Sequence, residues 1–162
     1  MKRSGSELKI RPFVDGDTDA VVALWKRCGL TRPWNDPRKD IARKRRVQGD
    51  LFLVGVCDGA LIASVMAGYD GHRGWVNYLA VDPRYRRAGY GRTLMRVIEE
   101  RLRQLDCPKV NLQVRQENAD AAAFYESIGF VEDAVVSYGK RLIQDERPRR
   151  RAPAASLVKR AK

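Results

Sequence analysis

Four arginines stand around a pair of glycines: Arg84, Arg86 and Arg87 precede Gly89-Tyr90-Gly91, and Arg92 follows it. Glycine lets a backbone turn sharply and approach a ligand without Cβ contact, and guanidinium groups pair well with phosphate or carboxylate oxygens. Where such a run opens a helix, the first N–H groups have no intrahelical partner and the helix dipole favours an anion. The chemistry on offer from Arg86, Arg87, Ala88, Gly89, Tyr90, Gly91 and Arg92 is the holding of a phosphate. The purely structural alternative is a helix entry whose glycines only close a tight turn.

The elements around the run fit either reading. An apolar, strand-like stretch, Trp75 to Val81, enters it through Asp82-Pro83. A helical repeat leaves it, with Leu94, Ile98, Leu102 and Leu105 on one face and Arg92, Arg96, Glu99, Glu100 and Arg103 toward water. Better-known phosphate loops do not match. There is no G-x-x-x-x-G-K-[ST], and the dinucleotide fingerprint needs a third glycine where Leu94 stands. No His/Cys/Asp spacing suits a metal, the chain has a single histidine, and a Gly-x-Ser-x-Gly elbow is missing.

The rest of the chain reads as β-α-α-β-β-β-α-β-α-β. Leu8 to Arg11 alternates as a first strand, and Val21, Val22, Leu24, Trp25 and Cys28 give a helix its apolar face, with Asp17 or Thr18 as N-cap and Gly29 at its end. Asp36-Pro37 starts a second, mostly basic helix running to about Gln48, with Ile41, Ala42 and Val47 to pack. Asp58-Gly59 joins two apolar strands, Leu51 to Cys57 and Ala60 to Tyr69, as a hairpin buried on both faces. Val110 to Val114 alternates as a fifth strand, Glu117 to Ile128 forms a short helix, and Phe130 to Lys140 supplies one or two last strands. The expectation is an α/β fold, a central mixed sheet of six to seven strands with helices on both faces.

Size and charge set the frame. At 162 residues, 44% hydrophobic and 32% charged, the sequence suits one globular domain over residues 1–146. The net charge of +12 is uneven: seven cations and no acid lie from Arg147 onward, leaving +5 on the body. The segment 147–162 reads as a basic, disordered tail. No apolar run is long enough to span a bilayer and the N-terminus lacks a signal-peptide pattern, so a cytoplasmic protein is expected. Cys28, Cys57 and Cys107 read as reduced thiols.

Two motifs together resemble a known family. Arg86-Arg87-Ala88-Gly89-Tyr90-Gly91 fits the Arg/Gln-x-x-Gly-x-Gly/Ala signature of the GCN5-related N-acetyltransferases (GNAT). Leu79-Ala80-Val81-Asp82-Pro83 looks like their fourth strand, and Asn118…Ala122…Phe124-Tyr125-Glu126…Gly129-Phe130 is similar to their second motif. The resemblance covers roughly Ile10 to Lys140. Within it, Gly29-Leu30…Arg32 to Pro37, Gly68 to Gly74 and Gly139 to Ile143 resemble the bacterial YpeA-type acetyltransferases most.

The resemblance implies an acetyl-CoA-dependent N-acetyltransferase that moves the acetyl group to a primary amine by direct attack in a ternary complex. It further implies a pyrophosphate wrapped by the amides of residues 87–92, with one of Arg84, Arg86, Arg87 and Arg92 meeting the 3′-phosphate. Pantetheine amides would pair with Leu79 and Val81 in a gap between the fourth and fifth strands, an amide near Leu79–Ala80 would hold the oxyanion, and Asn118 would bind the arm from the other side. Tyr125 falls at the family's general-acid position. No metal is implied. The family's usual strand-four glutamate has no counterpart in Trp75-Val76-Asn77-Tyr78, which leaves Asp70, His72 or a water relayed by Asn77 or Tyr78 as the route for the amine proton.

That missing carboxylate motivates a second reading, a non-catalytic acyl-CoA-binding regulator. A nucleic-acid role through the tail and the basic second helix ranks last, since no stacking-aromatic motif supports it. The acceptor is a small-molecule or protein amine, and the reading leaves room for a homodimer.

Overall fold

The computed structural model describes residues 7–145. The basic segment 147–162, expected to be a disordered tail, lies outside the described residues. Five strands form one sheet in the order β1-β2-β3-β4-β5: β1 (Lys9–Pro12), β2 (Phe52–Cys57), β3 (Ala60–Tyr69), β4 (Gly74–Val81) and β5 (Val110–Asn111). The first four are antiparallel and β5 joins β4 in parallel, so the sheet is mixed as expected. Asp58 and Gly59 both take positive φ, 50° and 78°, the backbone a two-residue hairpin loop requires.

Helices cover both faces. On one side α1 (Thr18–Arg27) and α2 (Pro37–Arg45) bury Val21, Val22, Leu24, Trp25 and Ile41 against Phe52, Val54, Met66 and Ala80. On the other, α3 (Tyr90–Gln104) buries Leu94, Met95, Ile98 and Leu102 against Leu53, Ile62, Val65 and Val76. Phe124, Tyr125 and Ile128 of α4 (Ala119–Ser127) pack at the edge of this second cluster. Strands β2 and β3 are buried along most of their length, which their continuous apolar sequence demands.

Asp36 caps α2 by accepting from the amides of Arg38 (2.9 Å) and Lys39 (3.4 Å), with Pro37 in the first turn. That helix ends at Arg45, short of Gln48, and leaves Val47 exposed. Asp17 precedes α1 without capping it. Its carboxylate instead accepts from Arg11 at 2.7 and 2.8 Å and from the Val14 amide at 2.9 Å, clamping β1 to the helix start.

Three sheet features depart from the sequence reading. The sheet has five strands rather than six or seven. Residues 130–140 run without a ladder, tied beside β5 by Lys109 Nζ–Asp133 (2.6 Å) and Gln113 Nε2–Ser137 Oγ (2.5 Å) and turned locally where Val135 N donates to Asp133 O. Strand β5 pairs for two residues only, Gly74↔Val110 and Trp75↔Asn111, because the chains then diverge. Leu105, placed on the apolar face of α3, is exposed; Met95 fills that core instead.

Candidate active site

Divergence of β4 from β5 leaves the far half of β4 with an open edge. The amide of Asp82 donates to Ile62 O (2.8 Å), toward β3. The carbonyl of Val81, on the opposite side of the same peptide, therefore faces the gap, as do the N–H of Val81 and, by the period of two, the polar groups of Leu79. Leu79 thus presents a main-chain donor and acceptor to an extended ligand and Val81 its N–H, the Val81 carbonyl already accepting from Arg86 Nε (3.3 Å) and Cys28 Sγ (3.4 Å), while Ala80 pairs with Ser64 of β3 and its side chain is buried.

A bulge precedes this edge. Met66 pairs with Asn77 and Ser64 with Ala80, so Val65 faces both Tyr78 and Leu79. Tyr78 takes φ 50°, which turns its side chain to the α1–α2 face. There the ring stacks on Trp25, with centroids 3.8 Å apart and planes 11° apart, and the hydroxyl donates to Asp40 Oδ2 at 2.7 Å. Trp25 Nε1 donates to Ser64 Oγ (2.9 Å), which donates to Tyr78 O (3.2 Å), so the bulge is held from both sides. Burial and the neighbouring Asp40 carboxylate push the Tyr78 phenol far above its ordinary range. Strand alternation alone would send Tyr78 to the α3 face, and the sequence carries no glycine to announce the bulge.

At its end β4 feeds the arginine-rich turn. Asp82, 1% exposed, accepts from the Arg84 amide (3.0 Å), from Arg84 Nε and Nη2 (3.1 and 3.0 Å) and from Arg27 Nε (3.0 Å). Arg84 beside it holds the Asp82 carboxyl down at about 2. Arg87 (φ 64°) and Gly89 (φ 83°) are both left-handed, and Gly89 leads directly into Tyr90, the first residue of α3. Thr93 N donates to Gly89 O at 3.0 Å, so the amides of Tyr90, Gly91 and Arg92 precede the first intrahelical bond. This is a concave row of donors at the positive end of a 15-residue helix.

The arginines are less free than their spacing suggests. Arg84 belongs to Asp82, Arg86 Nε donates to Val81 O (3.3 Å) and Arg92 Nη2 donates to Ser127 O at the end of α4 (3.3 Å). Among the described residues Arg87 is the member of the four whose guanidinium is unengaged. The Tyr90 side chain reaches back to the β2–β3 hairpin, its hydroxyl 4.0 Å from Cys57 Sγ, so that residue offers the site its backbone. Cys28 and Cys107 are free thiols.

Helix α4 packs beside the start of α3, with Phe124 against Gly91 and Arg92 bonded to Ser127 O. Asn118 caps it, Oδ1 accepting from the Ala121 amide at 3.1 Å, which leaves the side-chain NH₂ as the available donor. Tyr125 sits edge-on between Phe124 (5.1 Å) and Phe130 (5.6 Å), and this burial pushes its phenol up to about 12. Its hydroxyl makes no hydrogen bond among the described residues and is not sealed from solvent. A neutral phenol with an unused proton is suited to donating a hydrogen bond to an anion formed in the gap.

Asp70 and His72 lie elsewhere. Asp70 Oδ1 accepts from the amides of His72 (2.8 Å) and Arg73 (2.7 Å), closing the turn before β4 at the end of the strand remote from the bulge. Those amides lower the Asp70 carboxyl below its usual range. Asp70 is therefore already committed to its own turn.

The family model described as "Acetyltransferase (GNAT) family" matches residues 16–130. An acetyltransferase of Sodalis glossinidius is 45% identical over 140 residues, covering 86% of this chain and 99% of that protein. The chain belongs to the GNAT family. Two solved structures share its fold. One is Ard1 of Thermoplasma volcanium, with TM-score 0.71, 28% identity and coverage of 78% of this chain and 84% of that one. The other is the ribosomal-protein-S18-alanine N-acetyltransferase of Escherichia coli, with TM-score 0.66, 26% identity and coverage of 79% and 80%. This GNAT protein is accordingly an acetyl-CoA-dependent N-acetyltransferase. Among its described residues, no helix is long and apolar enough to cross a membrane and no three His, Cys, Asp or Glu side chains gather as metal ligands.

Proposed function

We propose that the chain moves an acetyl group from acetyl-CoA to a primary amine by direct attack within a ternary complex. The observation that carries this is the open β4 edge at Leu79 and Val81, which runs through the bulge at one end and into the α3 N-terminus at the other. Coenzyme A has that layout: a peptide-like pantetheine arm with a pyrophosphate behind it. The amides of residues 87–92 receive the pyrophosphate, with Gly89 and Gly91 keeping the row open, and Arg87 meets the 3′-phosphate. Pantetheine amides add to Leu79 and Val81 as a strand, and the Asn118 NH₂ donates to the arm.

The Leu79 N–H at the bulge, on the gap side of β4, faces the thioester oxygen and stabilises the oxyanion as the amine adds. Collapse of the tetrahedral intermediate breaks the C–S bond, and the Tyr125 hydroxyl donates to the departing sulfur. A phenol near 12 does not give its proton up fully to a thiolate whose thiol resembles cysteine, near ~8.5, since that transfer is uphill by roughly 5 kcal/mol. Tyr125 therefore stabilises the thiolate through a hydrogen bond, and the proton that ends on sulfur originates on the amine. Water held at Asn77 and Tyr78, on the acceptor side of the bulge, carries that proton.

Initial-velocity kinetics test the order of events. Lines that intersect when both substrates are varied, with no acetylated enzyme detectable by intact-mass spectrometry in the absence of acceptor, are expected. Parallel lines with a protein adduct of one acetyl group would replace direct attack by a covalent intermediate.

A further inference from the structure

The acceptor side of the bulge is unusually cationic for a site that receives an amine. Its walls are 31–45, comprising the α1–α2 loop and α2, and the segment 139–145. Together they hold eight lysines and arginines against three acids, Asp36, Asp40 and Asp145. Segment 139–145 is strapped across α2: Asp145 accepts from Arg43 Nη2 (2.5 Å) and the Asp36 amide (2.7 Å), and Arg141 Nη2 donates to Asn35 Oδ1 (3.1 Å). The Asn35 side chain also lies against the Tyr78 hydroxyl, which connects the strap to the bulge. Between strap and helix is a cavity of about 580 Å³ lined by Arg43, Gly139, Lys140, Arg141, Leu142 and Ile143.

The three acids have prior partners. Asp36 caps α2, Asp40 accepts from Tyr78 and Arg43, and Asp145 takes Arg43 and the Asp36 amide. Lys140 carries no such partner among the described residues, and Arg141 is exposed and bonded to a neutral amide. A polycation meets repulsion here. An acceptor with a carboxylate close to its amine meets two available cations.

The amine itself is constrained by the lack of a base. No carboxylate stands on β4, and the walls hold none that is unengaged. At pH 7.5 an α-amino group of pKa ~7.8 is about one-third neutral, whereas a lysine amine near ~10.4 is neutral in about one molecule per thousand. A cationic cleft lowers an amine's pKa further, favouring the neutral nucleophile. We infer that the acceptor is the α-amino group of a peptide N-terminus followed closely by acidic side chains, whose carboxylates are recognised by Lys140 and Arg141. This rests on the reading of the site given above.

Initial rates with acetyl-CoA test it on a panel: a short acidic peptide with a free N-terminus, its N-terminally blocked lysine-containing counterpart, a basic peptide with a free N-terminus, glutamate and spermidine. The acidic free-N-terminus peptide is expected to exceed the blocked lysine peptide and spermidine in kcat/KM by about 100-fold, following the neutral-amine fractions. Glutamate, whose own α-carboxylate keeps its amine protonated, should lag that peptide, and a lead by glutamate would overturn the assignment to a peptide N-terminus. The acidic peptide's kcat/KM should rise with pH and level off near pH 8. Lys140→Glu should lower it about tenfold and Arg141→Gln less, both through KM and both losing salt sensitivity. A preference for the lysine peptide, the basic peptide or spermidine, or an unchanged ranking in Lys140→Glu, overturns the inference while leaving acetyl transfer standing. Consumption of acetyl-CoA with none of the five overturns both.

Discussion

Phe124 occupies the space that a side chain on residue 91 would need: a Cβ there would lie 3.2 Å from Phe124 Cζ and 3.4 Å from Cε2. The two motif glycines thus serve different ends. Gly89 has open space around it and is required by its φ of 83°, whereas Gly91 is helical and is required by the approach of α4 to α3. Gly89→Ala should cost about 1–2 kcal/mol through backbone strain alone. Gly91→Ala should displace Phe124, with Tyr125 beside it, by a few tenths of an ångström, with the packing cost offset in part by alanine's better helix propensity. The check is kcat: it should fall in Gly91→Ala, while Gly89→Ala should act chiefly on the KM for acetyl-CoA.

The arginines divide in the same way. Arg87→Glu is expected to raise the KM for acetyl-CoA about tenfold or more with little change in melting temperature, because its guanidinium holds no protein group. Arg84→Glu should do the reverse, lowering the melting temperature by removing the partner of buried Asp82. Comparing acetyl-CoA with its 3′-dephospho form isolates the assigned contact: the Arg87 variant should lose the preference between them.

Stability should respond to acid through Asp82. Its folded-state pKa of about 2 lies below the usual carboxylate value, so its contribution is present above about pH 4–5 and disappears as pH falls through 2. The contribution is about 2 kcal/mol. Asp82→Asn should therefore be less stable than the parent at pH 6, and denaturant titrations should show that gap closing as pH approaches 2. A gap that stays constant across this range would mean the carboxylate's charge is not what Arg84 and Arg27 use.

Much of this architecture is legible in the sequence because single residues dictate local geometry. Asp58-Gly59 forces the hairpin, Asp36-Pro37 starts α2, and Gly29, Gly89 and Gly129 take positive φ where helices begin or end. The acetyltransferase family is legible from two motifs in the right order. What escapes is set by tertiary competition. Nothing local marks the bulge, since Trp25, Ser64 and Asp40 are what hold Tyr78 at φ 50°. Val110 to Val114 alternates like a full strand, yet it pairs for two residues because β4 turns away. Spacing likewise marks four arginines as available without revealing that Asp82, Val81 O and Ser127 O engage three of them.

Tyr125→Phe tests the central assignment most directly, because it removes one oxygen and leaves the ring between Phe124 and Phe130. Steady-state turnover and the dissociation constant of acetyl-CoA should be measured together on parent and variant. In the variant kcat should fall about a hundredfold while acetyl-CoA binding stays within about twofold. The remaining activity should keep the parent's pH profile between pH 6 and 10, since the phenol near 12 is protonated throughout that range. Unchanged kcat, or a loss that appears wholly in acetyl-CoA affinity, would contradict the assignment of Tyr125 as the donor to the departing thiolate.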